Sequence, residues 1–149
     1  MKVNNKIKLV KLKKNNLKIF KENLKFYFNE INKSKLDLTK IKLISSNILK
    51  KKDYKFIINY KEIFIGFIIL EISKNISNEK ICAIKDFFIV KKYRGKSLGK
   101  NVILIIQKYL KKRKIKKIKI EILKTNNSVE KFWKKFKIKT QKTTYIFNT

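Results

Sequence analysis

Apolar residues recur along this chain with two different periods. Leu17, Phe20, Leu24, Tyr27, Phe28 and Ile31 fall at helical spacing, and Asn15 and Asn16 stand ahead of them as candidate caps. A polar break covers Lys33 to Lys40, and a second helix is expected over Ile41 to Lys50. Elsewhere the pattern is that of strands. Lys6 to Leu12 alternates around Ile7, Leu9 and Val10. Tyr54 to Tyr60 and Ile63 to Ser73 are rich in Ile and Phe and flank Lys61-Glu62, which predicts a hairpin. Gly66 inside its second strand predicts a bulge or a close packing contact. Asn75 to Lys80 reads as a polar turn and Ile81 to Val90 as a further strand. A helix follows from about Gly99 to Lys112, then a strand from Ile115 to Leu123 with Ile118, Ile120 and Ile122 on one face. Asn126 or Asn127 caps a helix reaching about Phe136, striped by Val129, Phe132, Trp133 and Phe136, and Thr143 to Phe147 reads as a last strand. A hairpin followed by a strand–helix–strand unit implies a mixed sheet with helices on its faces. Ligands of such sheets bind at the C-terminal ends of strands.

One segment at such an end stands out. The chain has three glycines, and two of them lie in Arg94-Gly95-Lys96-Ser97-Leu98-Gly99-Lys100, between the apolar run Phe87-Phe88-Ile89-Val90 and the helix. Amides at a helix start have no carbonyl one turn back, and the helix dipole favours negative charge there. Glycine lets the backbone approach a ligand closely. A strand, a basic glycine-bearing turn and a helix start therefore form an anion site. It is not a Walker loop, because three residues separate Gly95 from Gly99 and Asn101 follows Gly99-Lys100. It is not the dinucleotide fingerprint either, since no Gly-x-Gly-x-x-Gly is present.

Composition narrows the function classes. At 149 residues and 44% hydrophobic content the chain is read as one folded domain, residues 1–149. The longest apolar stretch, Ile63 to Leu70, ends at Glu71 and is too short to span a membrane. The N-terminus lacks the continuous apolar region of a signal peptide, so the expectation is a soluble cytoplasmic protein without a membrane partner. The net charge of +31 suits a phosphate backbone, and non-specific association with nucleic acid is its physical consequence. A competing cause is codon usage. Lys, Asn, Ile, Phe and Tyr have AT-rich codons and abound, while Ala occurs once and Pro not at all. An AT-rich genome is the stronger explanation. With no histidine, Ser–His and Cys–His dyads and histidine metal sites are excluded, and no metal is expected. Cys82 is the single cysteine and reads as a small core residue.

The basic segment resembles the pyrophosphate loop of the GNAT superfamily of acyl-CoA-dependent N-acyltransferases. That loop reads Arg/Gln-x-x-Gly-x-Gly/Ala after a central strand, and here Arg94-x-x-Ser97-x-Gly99 follows Phe87 to Tyr93. Downstream, Ile120-Glu121-Ile122 leads to Asn126-x-x-Val129 and Phe132-Trp133-Lys134-Lys135-Phe136, which is similar to the family's next strand and helix. The hairpin with Gly66 resembles its second and third strands. The resemblance covers most of the chain and is strongest from Ile81 to Phe136.

The resemblance implies an α/β fold with a mixed, mostly antiparallel sheet of six to seven strands and helices on both faces. It implies direct attack of an amine on the thioester of acetyl-CoA as cosubstrate. The acceptor would be a protein N-terminus, a lysine or a small amine, and the enzyme a monomer or homodimer. Arg94, Gly95, Lys96, Ser97, Leu98, Gly99 and Lys100 would hold the pyrophosphate. Ile89 and Val90 would offer backbone contacts to the pantetheine arm, with Asn126 and Trp133 flanking its other side. Asn126 also reads as a helix cap, and Trp133 as a core residue. Asp86 is the weak candidate for a general base, against a solvated or lysine-paired carboxylate. Three departures are visible. Ser97 stands at the loop's middle glycine, Trp133 at a common tyrosine thought to protonate the thiolate, and Lys137-Ile138 at the usual Gly-Phe. Indole is no useful acid at neutral pH. The other function class is an inactive acyltransferase-fold protein that associates with RNA or ribosomes. Aromatics that fall in the core pattern, and the lack of an RNA-binding signature, weigh against it.

Overall fold

The computed structural model describes residues 6–32, 53–121 and 127–136, with single helical positions at Thr39, Leu43, Ser46, Asn47 and Lys50. Five strands make one sheet in chain order: β1 (Ile7–Lys11), β2 (Tyr54–Tyr60), β3 (Ile63–Lys74), β4 (Lys80–Ile89) and β5 (Lys117–Ile120). Neighbours pair antiparallel from β1 to β4, and β5 joins β4 in parallel. The helices are α1 (Leu17–Asn32), α2 (Leu98–Lys112) and α3 (Asn127–Lys134). The expected mixed sheet with helices on both faces is thus present, with five strands rather than six to seven among the described residues. The strand expected at residues 143–147 and the capping position Asn126 lie outside them. Within the expected second helix, the described positions Leu43, Ser46, Asn47 and Lys50 are all helical.

Alternation along the strands builds two cores. Ile57 of β2, Phe67 and Ile69 of β3 and Phe88 of β4 meet Phe20, Leu24 and Tyr27 of α1. Phe56 and Ile58, Ile68 and Leu70, Cys82 and Ile84 point the other way, onto Leu98, Val102, Ile103, Ile106 and Leu110 of α2 and Trp133 of α3. Cys82 is fully buried in this second core, and burial pushes its thiol up to about 11, which suits the core reading. Asn16 does not cap α1 forward. Its Oδ1 accepts from the Lys13 amide at 2.8 Å and its Nδ2 donates to the Lys11 carbonyl at 3.1 Å, closing a 3₁₀ turn at Lys14–Asn16. Strand β5 begins at Lys117 rather than Ile115 because α2 ends in a Schellman turn. The Ile115 amide donates to Leu110 and that of Lys114 to Lys111, with Lys114 at φ +59°.

The β2–β3 turn has both central residues, Lys61 and Glu62, at positive φ, 50° and 63°. A two-residue hairpin needs this conformation, and Asn-Gly adopts it with least strain. Each left-handed residue other than glycine costs about 1–2 kcal/mol, asparagine less. Replacing Lys61-Glu62 by Asn-Gly should therefore stabilise the protein by about 1–2 kcal/mol. The exposed Lys8–Glu62 ion pair, at 2.5 Å, is lost in the exchange and offsets little of this. Urea unfolding checks it, and a lower midpoint in the variant contradicts the turn assignment.

Candidate active site

The site grows from two bulges. In β3, Ile58 pairs with Gly66 and Asn59 with Phe64, so Ile65 is the extra residue. A Cβ on Gly66 would lie 2.0 Å from the Phe88 carbonyl oxygen, so the position admits no side chain. Both alternatives read for Gly66, bulge and close packing, are realised together. In β4, Ile69 pairs with Asp86 and Leu70 with Ile84, leaving Lys85 as the extra residue. That bulge changes which side chains face which helix. Cys82 and Ile84 face α2, and without the bulge Asp86 would follow them. Instead the α2 side takes Phe87 and Ile89, while Phe88 turns to α1.

Beyond the bulge β4 loses its parallel neighbour. Strand β5 pairs only with Ile81 to Ile84, so the edge of β4 from Asp86 onward has no described partner on that side. The Val90 amide donates to the Ile65 carbonyl at 2.8 Å, toward β3. By ladder alternation the polar backbone groups of Phe87 and Ile89 point into the opening. A cleft of about 240 Å³ lies beside the point of separation, lined by Ile84, Ile103, Ile118, Ile120, Trp133 and Phe136 together with the polar Gln107 and Lys116.

The chain leaves β4 through a 3₁₀ turn, Lys91–Tyr93, and reaches α2 by the basic segment. Gly95 has φ +76° and Ser97 has φ +56°, ψ 7°. The first amide of α2 with a carbonyl one turn back belongs to Asn101, which donates to Ser97 at 3.1 Å. Among the described residues, no amide from Gly95 to Lys100 donates a hydrogen bond. Left-handed residues that turn successive amides inward make an anion-binding nest, here merged with a helix N-terminus. Gly99 packs against Phe132 and Phe87; an added Cβ would stand 3.2 Å from Phe132 Cε2. Ser97 sits in the left-handed backbone that the loop's middle glycine accommodates freely, at a cost of about 1–2 kcal/mol. Ser97→Gly should raise stability by about 1 kcal/mol while acetyl-CoA affinity is kept or strengthened. Calorimetric titration checks this, and a marked loss of affinity would assign the hydroxyl a role of its own.

The Arg94 side chain is engaged elsewhere. Its Nε donates to the Ile89 carbonyl at 2.7 Å, and its terminal nitrogens grip both Glu30 oxygens on α1, at 2.9 and 2.5 Å. Its guanidinium lies 5.5 Å from the centre of the Phe88 ring. Arg94 thus ties loop, β4 and α1 together, with its guanidinium committed to Glu30 and the Ile89 carbonyl. Lys96 is exposed and Lys100 half-buried, both on the segment itself.

Asp86 is half-buried on the α1 side and accepts a hydrogen bond from the Tyr27 hydroxyl. Among the described residues no lysine pairs with it. Burial first, then the Asp86 charge, pushes the Tyr27 hydroxyl far above the ordinary phenol range, so it stays a neutral donor. Trp133 is buried among Phe87, Phe132 and Phe136, with ring centres 5.0–6.1 Å away, which is the core reading, and it also borders the cleft. Sequence reasoning missed Tyr27 and Glu30. Tyr27 was hidden in the α1 stripe as a core residue, although a tyrosine buried in such a stripe seeks a partner for its hydroxyl. Among the described residues, no group of three or more Cys, Asp or Glu side chains is placed to hold a metal, and no helix is long and apolar enough to cross a membrane.

Residues 17–137 match the model of the acetyltransferase (GNAT) family. The chain belongs to that family. Solved GNAT-fold structures agree over nearly the whole length. A possible acetyltransferase from Clostridium difficile 630 superposes with a TM-score of 0.78 at 14% identity, covering 96% of this chain and 97% of that one. A ribosomal-protein-alanine N-acetyltransferase from Brucella melitensis biovar Abortus 2308 gives 0.77 at 12%, covering 96% and 99%. An aminoglycoside N-acetyltransferase in complex with CoA gives 0.71 at 13%, covering 96% and 94%. At these identities the likeness is one of fold. No curated protein matches the sequence.

Proposed function

We propose that this GNAT protein is an N-acetyltransferase that moves an acetyl group from acetyl-CoA to a primary amine. The observation that carries the reading is the row of amides from Gly95 to Lys100, which have no acceptor among the described residues and gather at the end of β4 beyond its pairing with β5. A pyrophosphate fits such a row, because fixed amides and a helix dipole stabilise anionic oxygens without reorganising. Lys96 and Lys100 add charge. The CoA-bound aminoglycoside N-acetyltransferase of the same fold supports the ligand class.

Acetyl-CoA brings an activated acyl thioester; the chain's residues position and polarise it. Ile89 turns its amide into the opening, where it donates to the thioester carbonyl oxygen. The Arg94 hydrogen bond to the Ile89 carbonyl holds the next peptide, Ile89–Val90, on the same side of the strand. The cleft beside the separation of β4 and β5, with Ile84, Ile120 and Trp133 on its wall, offers the pantetheine arm apolar contact. The attacking amine must be neutral, so its ammonium proton needs an acceptor. Asp86 is the candidate, with one carboxylate oxygen already bound by Tyr27. If Asp86 serves as base, Asp86→Asn lowers kcat about 100-fold or more near neutral pH without weakening acetyl-CoA binding. Unchanged kcat would leave proton removal to solvent. The acceptor is identified by incubating the protein with labelled acetyl-CoA and cell extract. Label is expected in an amide, on a protein or a small amine. Hydrolysis to labelled acetate alone would contradict the reading.

A further inference from the structure

The end of α2 remote from the loop carries a second cationic surface that the transfer reaction does not use. Seven of the ten residues from Lys108 to Lys117 are lysine or arginine, and among the described residues only the last of them, Lys117, has a carboxylate partner, Glu79 of the β3–β4 turn at 2.7 Å. Lys111, Lys112, Arg113, Lys114 and Lys116 are all exposed, and none of them makes an ion pair with a described residue. The left-handed turn at Lys114 ends α2 abruptly and holds this cluster in one place. A 15-residue helix separates it from the Gly95–Lys100 amides by about 20 Å.

Charge alone would reflect codon usage, but Arg113 does not. The chain uses arginine twice among its 41 basic residues, at Arg94 and Arg113, and both guanidinium groups lie over an aromatic ring. Arg113 stands 3.8 Å from the centre of the Tyr109 ring, which is itself braced edge-on by Phe56 at 5.5 Å and Tyr54 at 6.5 Å. Unlike Arg94, it has no carboxylate partner among the described residues. Its guanidinium lies over the Tyr109 ring, and the side chain is otherwise exposed. A planar cation stacks on an unpaired base while its edge and neighbouring lysines meet phosphates. Among the described residues, the exposed large apolar side chains lie at Val10, Ile19, Phe26, Leu43, Ile63 and Ile76, none of them on α2 or the turn that ends it, so the cluster itself has no apolar side chain to insert into a lipid interface.

We infer that the C-terminal end of α2, centred on Arg113 and Tyr109, is a binding surface for unpaired RNA. The test is fluorescence anisotropy of the full chain with a labelled oligouridylate of about 12 nucleotides at several salt concentrations. The triple variant Lys111→Gln, Lys112→Gln, Arg113→Gln should bind about tenfold more weakly, with its salt slope reduced by about 2. A control of equal net charge, Lys18→Gln, Lys21→Gln, Lys25→Gln on α1, should lose less than about threefold. Arg113→Lys keeps the charge and should still weaken binding severalfold. An unchanged acetyl-CoA melting shift in each variant shows that folding and the remote site are intact, whatever the reading of that site. Equal losses in the two triple variants would overturn the proposal in favour of net charge. Binding to phosphatidylserine–phosphatidylcholine vesicles that RNA does not displace would also overturn it.

Discussion

Gly66→Ala is expected to destabilise the protein by about 3 kcal/mol or more, because overpacking against rigid backbone cannot be relieved by a rotamer change. The added methyl would sit 2.0 Å from the Phe88 carbonyl oxygen and about 3 Å from Ile89 Cα. Relief requires β3 and β4 to part where they are most tightly registered, from Gly66–Ile89 to Ile69–Asp86. The same movement would displace Ile89 and Val90 from the mouth of the site, so residual folded protein should also bind acetyl-CoA poorly. At this chain length the loss corresponds to a fall of about 6–12 °C in melting temperature. Thermal and urea unfolding read it directly. A variant within 1 kcal/mol of the parent would mean that the close approach of the two strands is absent.

Gly99→Glu should remove acetyl-CoA binding while leaving the fold in place. Gly99 lies in the first turn of α2, where a carboxylate meets the same amides that the pyrophosphate needs. Glutamate at a helix start is favourable in the free protein, and the added Cβ, 3.2 Å from Phe132 Cε2, needs that ring edge to give by only a few tenths of an ångström. Unfolding of the free variant should therefore change little, whereas the ligand-induced shift should vanish through like-charge repulsion. Gly99→Ala is the companion variant; it adds the Cβ without the charge and should keep most of the shift. If Gly99→Glu retains a normal shift, the pyrophosphate lies elsewhere.

The sheet was legible because its strands are long apolar runs. Tyr54–Tyr60 is bounded in the structure as the sequence predicts, and α1 and α2 follow their helical stripes. The irregularities were not legible. Nothing in Ile81 to Val90 marks Lys85 as an extra residue, since every neighbour is compatible with a continuous strand. Yet that bulge alone decides that Asp86 faces α1 and meets Tyr27. The apolar strands on either side placed the Lys61-Glu62 hairpin, but its left-handed turn conformation carried no residue signal, because lysine and glutamate stand where glycine or asparagine usually serve. The Arg94–Glu30 clamp spans 64 residues, and among 41 cations no sequence pattern designates which one a given carboxylate takes. The loop itself was legible for a physical reason. A strand end, two glycines and a helix start constrain the backbone locally, and Ser97 at φ +56° shows that its place demanded a left-handed residue.

A thermal-shift titration asks whether the Gly95–Lys100 amides receive the pyrophosphate of acetyl-CoA, as proposed above. Acetyl-CoA at about a hundredfold excess over Kd should raise the melting temperature by about 5–10 °C. The acetyl thioester of N-acetylcysteamine, which has the reactive group but no pyrophosphate, should give no comparable shift at the same concentration. An unmoved melting temperature at millimolar acetyl-CoA, or an equal response to both thioesters, would contradict the account.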